Sequence, residues 1–234
     1  MIYYISPDTS NTNESIIIDD NSPEVNDIKN FIQQLYIGKP LTDVDKDRPF
    51  LIYLADHGAP GKFQVNQGNE ILDAKDLDEW LDKLQYETNC PVYIIIESCF
   101  SGTFVEKIAP TSEQQRVIIT STGNYVSRYS RDGRESFSRY LFDQLSIGNN
   151  IADSFNFASQ ELNKHYIFYG QYPRIEDGHS LALAQSSYIG NSFIIGNIRP
   201  EIIDHTKPQT LPAGPGSLFV KIVDIGKSCH VWAT

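Results

Sequence analysis

The chain predicts an α/β protein on a doubly wound, mostly parallel sheet with helices packed on both faces. Three observations predict it. The runs Phe50 to Ala55, Val92 to Ile96 and Arg116 to Thr120 are short and near-continuously apolar, the texture of strands buried on both faces. The segments between them carry apolar residues at helical spacing. The resulting order is βαβαβ, and 234 residues suffice to bury one such core with a small appendage.

Ile2 to Ile5 reads as a first strand. A polar loop rich in Asp, Asn and Ser follows from Asp8 to Asn21, interrupted by Ile16-Ile17-Ile18. Ser22-Pro23-Glu24 supplies a cap and a first-turn proline for a helix whose stripe is Val25, Ile28, Phe31, Ile32 and Leu35, and Gly38 ends it. After the strand at 50 to 55, Gly58-Ala59-Pro60-Gly61 is turn-rich, and Asn66-Gln67-Gly68-Asn69 marks a hairpin. Asp73 or Ala74 opens a helix to about Leu84, with Leu77, Trp80, Leu81 and Leu84 inward. A short helix follows Gly102, the strand from Arg116 ends at Ser121-Thr122-Gly123, and helices span Ser136 to Leu145 and Ile151 to Lys164.

From Tyr188 the texture shifts to Gly, Asn and Pro, and Pro208 to Gly216 holds three prolines and two glycines, which is linker composition. Leu218 to Val223 and Cys229 to Trp232 read as strands. The expected organisation is one domain over 1–187, a linker over 188–216 and the beginning of a β-rich module over 217–234. With strands set close to both Met1 and Thr234, the sequence reads as a piece of a larger protein.

A net charge of -11 repels nucleic acid and anionic lipid, and no Lys/Arg cluster offsets it, so neither is expected as a partner. No apolar run approaches membrane-spanning length, and no membrane insertion is expected. Three cysteines make no disulfide framework. Nine residues of extended chain at about 3.3 Å each hold Cys90 and Cys99 roughly 30 Å apart, beyond disulfide reach, which leaves Cys99 free and Cys229 open to Cys90.

Two of the buried strands run into reactive side chains, Asp56-His57-Gly58 after the first and Glu97-Ser98-Cys99-Phe100-Ser101-Gly102 at the end of the second. Parallel strands put such ends at one sheet edge, where ligands bind. Taken singly, a cysteine beside a strand is a small buried hydrophobe and a histidine there is held by a carbonyl. Their matched placement, each followed by glycine, instead fits a thiol nucleophile with its acid/base partner. A cysteine attacks as thiolate, and a strand-to-helix turn supplies unpaired N–H groups that favour that form. The amides of Gly58 and Cys99 suit an oxyanion hole, and His57 suits protonation of the leaving amine.

These segments resemble the two catalytic motifs of the legumain-like cysteine peptidases, relatives of caspases and gingipains with the caspase/haemoglobinase fold. Arg116-Val117-Ile118-Ile119-Thr120-Ser121, Glu135-Ser136-Phe137-Ser138 and Gln171-Tyr172-Pro173 follow in the family's order, so the likeness covers roughly residues 2 to 180, closest to bacterial members. The resemblance implies a three-layer α/β/α caspase-like domain and a cysteine endopeptidase acting on peptide or protein substrates without a cofactor or metal. It implies Cys99 as nucleophile, His57 as acid/base, and Gly58 with Cys99 as oxyanion donors. It also implies Glu97, Ser121, Ser127, Arg128 and Glu135 around the pocket for the P1 side chain, Ser127 and Arg128 falling where that pocket has a serine pair. Two acidic groups suit a basic P1 residue, and Asn can donate to the same carboxylates. The family's first strand and helix have no counterpart before Ile2. Bacterial members sit in longer, often exported chains with β modules behind them, which implies an extracellular or periplasmic location and further β modules as partners.

Other features stay with ordinary roles. The acidic stretch Asp8 to Asp20 lacks the glycine and terminal Glu of a calcium-binding EF-hand loop and reads as a solvated loop. His165, His179, His205 and His230 show no metal-ligand spacing. A thiol phosphatase would need Arg six residues after its nucleophile, where Val105 stands. The second functional class is a catalytically inactive module of the same fold that grips peptides without cutting them.

Overall fold

The computed structural model describes residues 3–6, 20–37, 44–68, 70–130 and 135–189, together with the backbone of 201–205 and 220–223. Its centre is a four-stranded sheet of β1 (Phe50–Ala55), β5 (Val92–Glu97), β6 (Arg116–Thr120) and β7 (Arg174–Glu176), in the order β1-β5-β6-β7. The first three are parallel and β7 runs antiparallel to β6. The three apolar runs thus form the parallel strands expected of them, while β7, with a single apolar residue, carries no strand signal in the sequence.

Every residue of β5 and β6 is buried, because helices cover both faces. On one face α1 (Val25–Gln34) and α2 (Ala74–Thr88) pack Ile28, Ile32, Leu77, Leu81 and Leu84 onto Phe50, Leu54, Ile94 and Ile96. On the other, α3 (Phe137–Ser146) and α4 (Ile151–Lys164) pack Leu141, Leu145, Phe155 and Leu162 onto Tyr93, Ile95, Val117 and Ile119. Alternation along β5 therefore feeds two cores from one strand. The result is a three-layer α/β/α domain.

Helix boundaries differ from expectation where side-chain caps decide them. Helix α1 starts one residue after Glu24, not at Ser22, because the Glu24 N–H donates to Asp27 Oδ2 at 2.7 Å; the expected terminator Gly38 lies outside the described residues. Asp73 caps α2 by accepting from the Lys75 N–H at 3.0 Å. That helix runs a turn past Leu84 and stops where Asn89 takes a left-handed φ of 55°. Between β1 and α2, β2 (Gly58–Ala59), β3 (Lys62–Gln64) and β4 (Ile71–Asp73) form a small antiparallel sheet, its β3–β4 turn at the expected hairpin.

Of the strand expected over Ile2 to Ile5, the described residues show an isolated parallel bridge from Ile5 to Asp20, and Ile2 lies outside them. A short helix, α5 (Ala182–Ser186), follows β7. Within the stretch expected as linker, β8 (Glu201–His205) pairs antiparallel with β9 (Val220–Val223), the latter inside the strand expected from Leu218. The expected strand at Cys229 to Trp232 and the tract Pro208 to Gly216 lie outside the described residues.

Candidate active site

Parallel pairing of β1 with β5 runs in register from Phe50↔Val92 to Ala55↔Glu97. His57 stands two residues past Ala55 and Cys99 two past Glu97, so both leave the sheet at the same rim. Gly58 lies directly against the nucleophile turn: a Cβ there would stand 2.4 Å from the Cys99 carbonyl oxygen and 2.6 Å from Ser98 Oγ. Only glycine permits that approach.

The histidine is exposed at the start of the β2–β3 hairpin. Its backbone N–H donates to Asp56 Oδ1 at 2.6 Å, and its backbone carbonyl accepts from the Gln64 N–H at 2.9 Å. That bond makes the neighbouring Gly58↔Phe63 pair the non-hydrogen-bonded one, leaving the Gly58 N–H directed away from β3. The hairpin tip is tied to the turn after Cys99, since the Gly61 N–H donates to Thr103 Oγ1 at 2.7 Å.

Cys99 is half-buried and unpaired, with its thiol 3.9 Å from the Ser127 carbonyl oxygen. Phe100 follows with a φ of 59°, a left-handed conformation uncommon outside glycine. It is held by a 2.7 Å bond from its N–H to the Tyr125 carbonyl and leads into the 3₁₀ turn Ser101–Thr103. Gly102 packs where a Cβ would meet Gly123 Cα at 2.6 Å, and its carbonyl accepts from Arg174 Nη1 at 3.1 Å. Among the described residues the Cys99 N–H meets no acceptor.

Beside these groups lies an open cleft of about 650 Å³, lined by Tyr53, Ala55, Asp56, Glu97, Tyr129, Ser136, Ser138, Arg139, Phe142 and Asp143, among others. Glu97 is 6% exposed and accepts from Tyr53 Oη at 3.3 Å, from the Ser138 N–H at 3.4 Å and from the Ser138 hydroxyl. Burial pushes its carboxyl above the ordinary value of 4.5, against these donors, which pull it down. Burial and the neighbouring Glu97 also raise the Tyr53 phenol, keeping it a neutral donor. Arg139 Nε pairs with Asp143 Oδ2 at 2.9 Å.

The other residues expected at the pocket divide. Ser121 and Ser127 form a buried pair with hydroxyl oxygens 2.8 Å apart, while Arg128 is exposed on the same loop. Glu135 is not among the cleft residues, although its neighbour Ser136 is; its N–H donates to Ser130 Oγ at 2.9 Å. Gln171, which the sequence shows only as part of Gln171-Tyr172-Pro173, clamps the loop. Its Nε2 donates to the Ser121 carbonyl at 2.8 Å and its Oε1 accepts from the Arg128 N–H at 2.8 Å. Tyr53 and Ser138 also reach Glu97 without having been singled out. Their alternation on β1 and their place beside Ser136 were the available signals. Among the described residues no His, Cys, Asp and Glu are grouped to hold a metal ion, and no helix is long and apolar enough to cross a membrane.

The architecture is a caspase-like α/β/α domain with a cysteine and a histidine at one rim of its sheet. Residues 4–169 match the Peptidase C13 family, and the chain belongs to this family of cysteine-type endopeptidases. Over 72 residues it is 39% identical to the vacuolar-processing enzyme delta-isozyme of Arabidopsis thaliana, which covers 30% of this chain and 15% of that protein. The match thus spans a small part of the relative's length. Among solved structures, caspase-1 from Spodoptera frugiperda is similar at a TM-score of 0.50 and 19% identity, covering 69% of this chain and 70% of that one. That likeness shows the fold.

Proposed function

We propose that the chain is a cysteine endopeptidase working through Cys99 and His57. The observation that carries the reading is the in-register pairing of β1 with β5, which brings both residues to one rim with Gly58 against the Cys99 carbonyl. The Cys99 thiolate adds to the scissile carbonyl carbon, and the N–H groups of Gly58, directed away from β3, and of Cys99, without an acceptor among the described residues, receive the oxyanion. As the C–N bond breaks, His57 gives its proton to the leaving amine, and a thioester remains on Cys99. His57 then takes a proton from water, whose oxygen attacks the thioester, and the acid product leaves with the thiol restored.

The cleft at Glu97 is the reading for the P1 site. With Arg139 paired to Asp143, Glu97 and Asp56 leave it net acidic, which suits Arg or Lys; the amide of Asn can donate to the same Glu97 carboxyl. An inactive peptide-binding module shares the fold but not an attacking thiol. Incubation with a thiol-directed peptide probe, with a positional library read in parallel, separates the two. The expected outcome is stoichiometric labelling at Cys99, hydrolysis after Arg, Lys or Asn, and a loss of at least about 10³-fold in Cys99→Ala. An inert thiol, or hydrolysis that survives Cys99→Ala, would overturn the proposal.

A further inference from the structure

The rim carries exposed aromatic surface outside the Glu97 cleft. We propose that Tyr125 and Tyr172 form a second subsite, which takes an apolar, preferably aromatic, side chain from the acyl side of the scissile bond. The inference rests on the cysteine-peptidase reading of the same rim.

Position comes from the sheet order. Tyr125 follows β6 and Tyr172 precedes β7, so both stand on the far side of Cys99 from β1 and His57. His57 serves the leaving amine and the P1 side chain enters the Glu97 cleft beside β1, so the residues before P1 have the side of Cys99 toward β6 and β7 left to them. The subsite adjoins the nucleophile directly, for the Tyr125 carbonyl accepts from the Phe100 N–H at 2.7 Å. The Tyr172 carbonyl oxygen lies 3.5 Å from where a Cβ on Gly123 would stand, closing the two segments around that glycine.

The two residues are 59% and 58% exposed, with ring centroids 6.3 Å apart at 70°. The two rings meet edge to face, and among the described residues neither hydroxyl has a hydrogen-bond partner. Aromatic area left in water is removed from it when an apolar side chain lies across it. The backbone beneath is fixed beforehand: buried Gln171 bonds both the Ser121 carbonyl and the Arg128 N–H, and Pro173 follows Tyr172. Little ordering is left for binding to impose. Arg128 puts positive charge on the Tyr125 segment, which disfavours a cationic occupant, while Arg174 is paired with Glu106 at 3.6 Å.

The test uses the full chain carrying Cys99→Ala, titrated by fluorescence anisotropy with labelled peptides. Each has Arg or Asn at P1 and either Phe or Ser placed in turn at P2, P3 and P4. At one position Phe is expected to bind about tenfold tighter than Ser. Adding Tyr125→Ala or Tyr172→Ala, with the fold checked by circular dichroism, brings the two affinities together. No position favouring Phe, or a preference that survives both substitutions, overturns the subsite. Phe-selective binding by Cys99→Ala with no hydrolysis by the unsubstituted chain would support the subsite while rejecting the peptidase reading.

Discussion

A single methyl group at position 58 has nowhere to go, since the Cys99 carbonyl oxygen and Ser98 Oγ already fill the space. Gly58→Ala must therefore push the nucleophile turn and the hairpin apart. A displacement of about 1 Å at reacting groups costs on the order of 100-fold in rate. We expect a fall in kcat of that size, with circular dichroism showing a retained fold; kcat within threefold of the parent would mean that the approach is not needed. Glu97 gives a second residue-scale prediction. Its folded-state pKa lies above the unfolded one, so its contribution to stability is complete below the unfolded value and is lost as pH rises through the folded value. Glu97→Gln removes that loss. Thermal unfolding of the variant should occur at a higher temperature than the parent's near pH 8, and the gap should close below about pH 4, while hydrolysis after Arg weakens above the folded-state value and little below it. A gap that widens toward acid would contradict the sign. His57, Gly58 and Cys99 were legible because strand ends in a parallel sheet announce themselves. Tyr53, Ser138 and Gln171 were not, because each acts through a partner distant in sequence.

Arg116 opens β6 with no exposed side-chain surface, at the end of the sheet opposite the rim. Its Nε donates to Gln85 Oε1 at 2.9 Å, and its Nη1 to Asp78 Oδ1 at 2.8 Å and the Ile108 carbonyl at 3.0 Å. Its Nη2 donates to Asp82 Oδ1 at 2.7 Å. One guanidinium thus fastens α2 and the segment before β6 to the sheet. Removing one partner of such a network leaves buried polar groups unpaired, at a cost of about 3 kcal/mol. Urea unfolding of Arg116→Met should show that loss, with thiol labelling of the folded fraction unchanged; a loss below about 1 kcal/mol would mean that water replaces the network. The sequence shows β6 as a strand but not this role, since nothing in the spacing of Asp78 and Asp82 ties them to an arginine more than thirty residues away. Elements followed the same rule. Strands β1, β5 and β6 were visible as apolar runs, whereas β7, Arg174-Ile175-Glu176, depends on pairing with β6 that no local pattern encodes.

At the scale of the whole fold, the described residues form two hydrophobic cores on opposite faces of one sheet, and the middle strands belong to both. Ile94 and Ile96 meet the α1/α2 layer, while Tyr93 and Ile95 meet the α3/α4 layer. Neither layer can open without exposing one face of β5 and β6, whose residues are all buried. The cores should therefore melt as one cooperative unit despite packing on separate faces. Leu77→Ala empties part of one core and Leu141→Ala part of the other, each at about 2 to 5 kcal/mol. Hydrogen exchange followed segment by segment through α2, β5 and α3 should show each substitution lowering protection in all three by the same amount. Cys99 accessibility to a thiol reagent should rise at the same denaturant concentration. Protection lost only in the layer that carries the substitution would show two independent units. In that case the rim would rest on β5 alone, and the joint positioning of His57 and Cys99 could not depend on both helical layers.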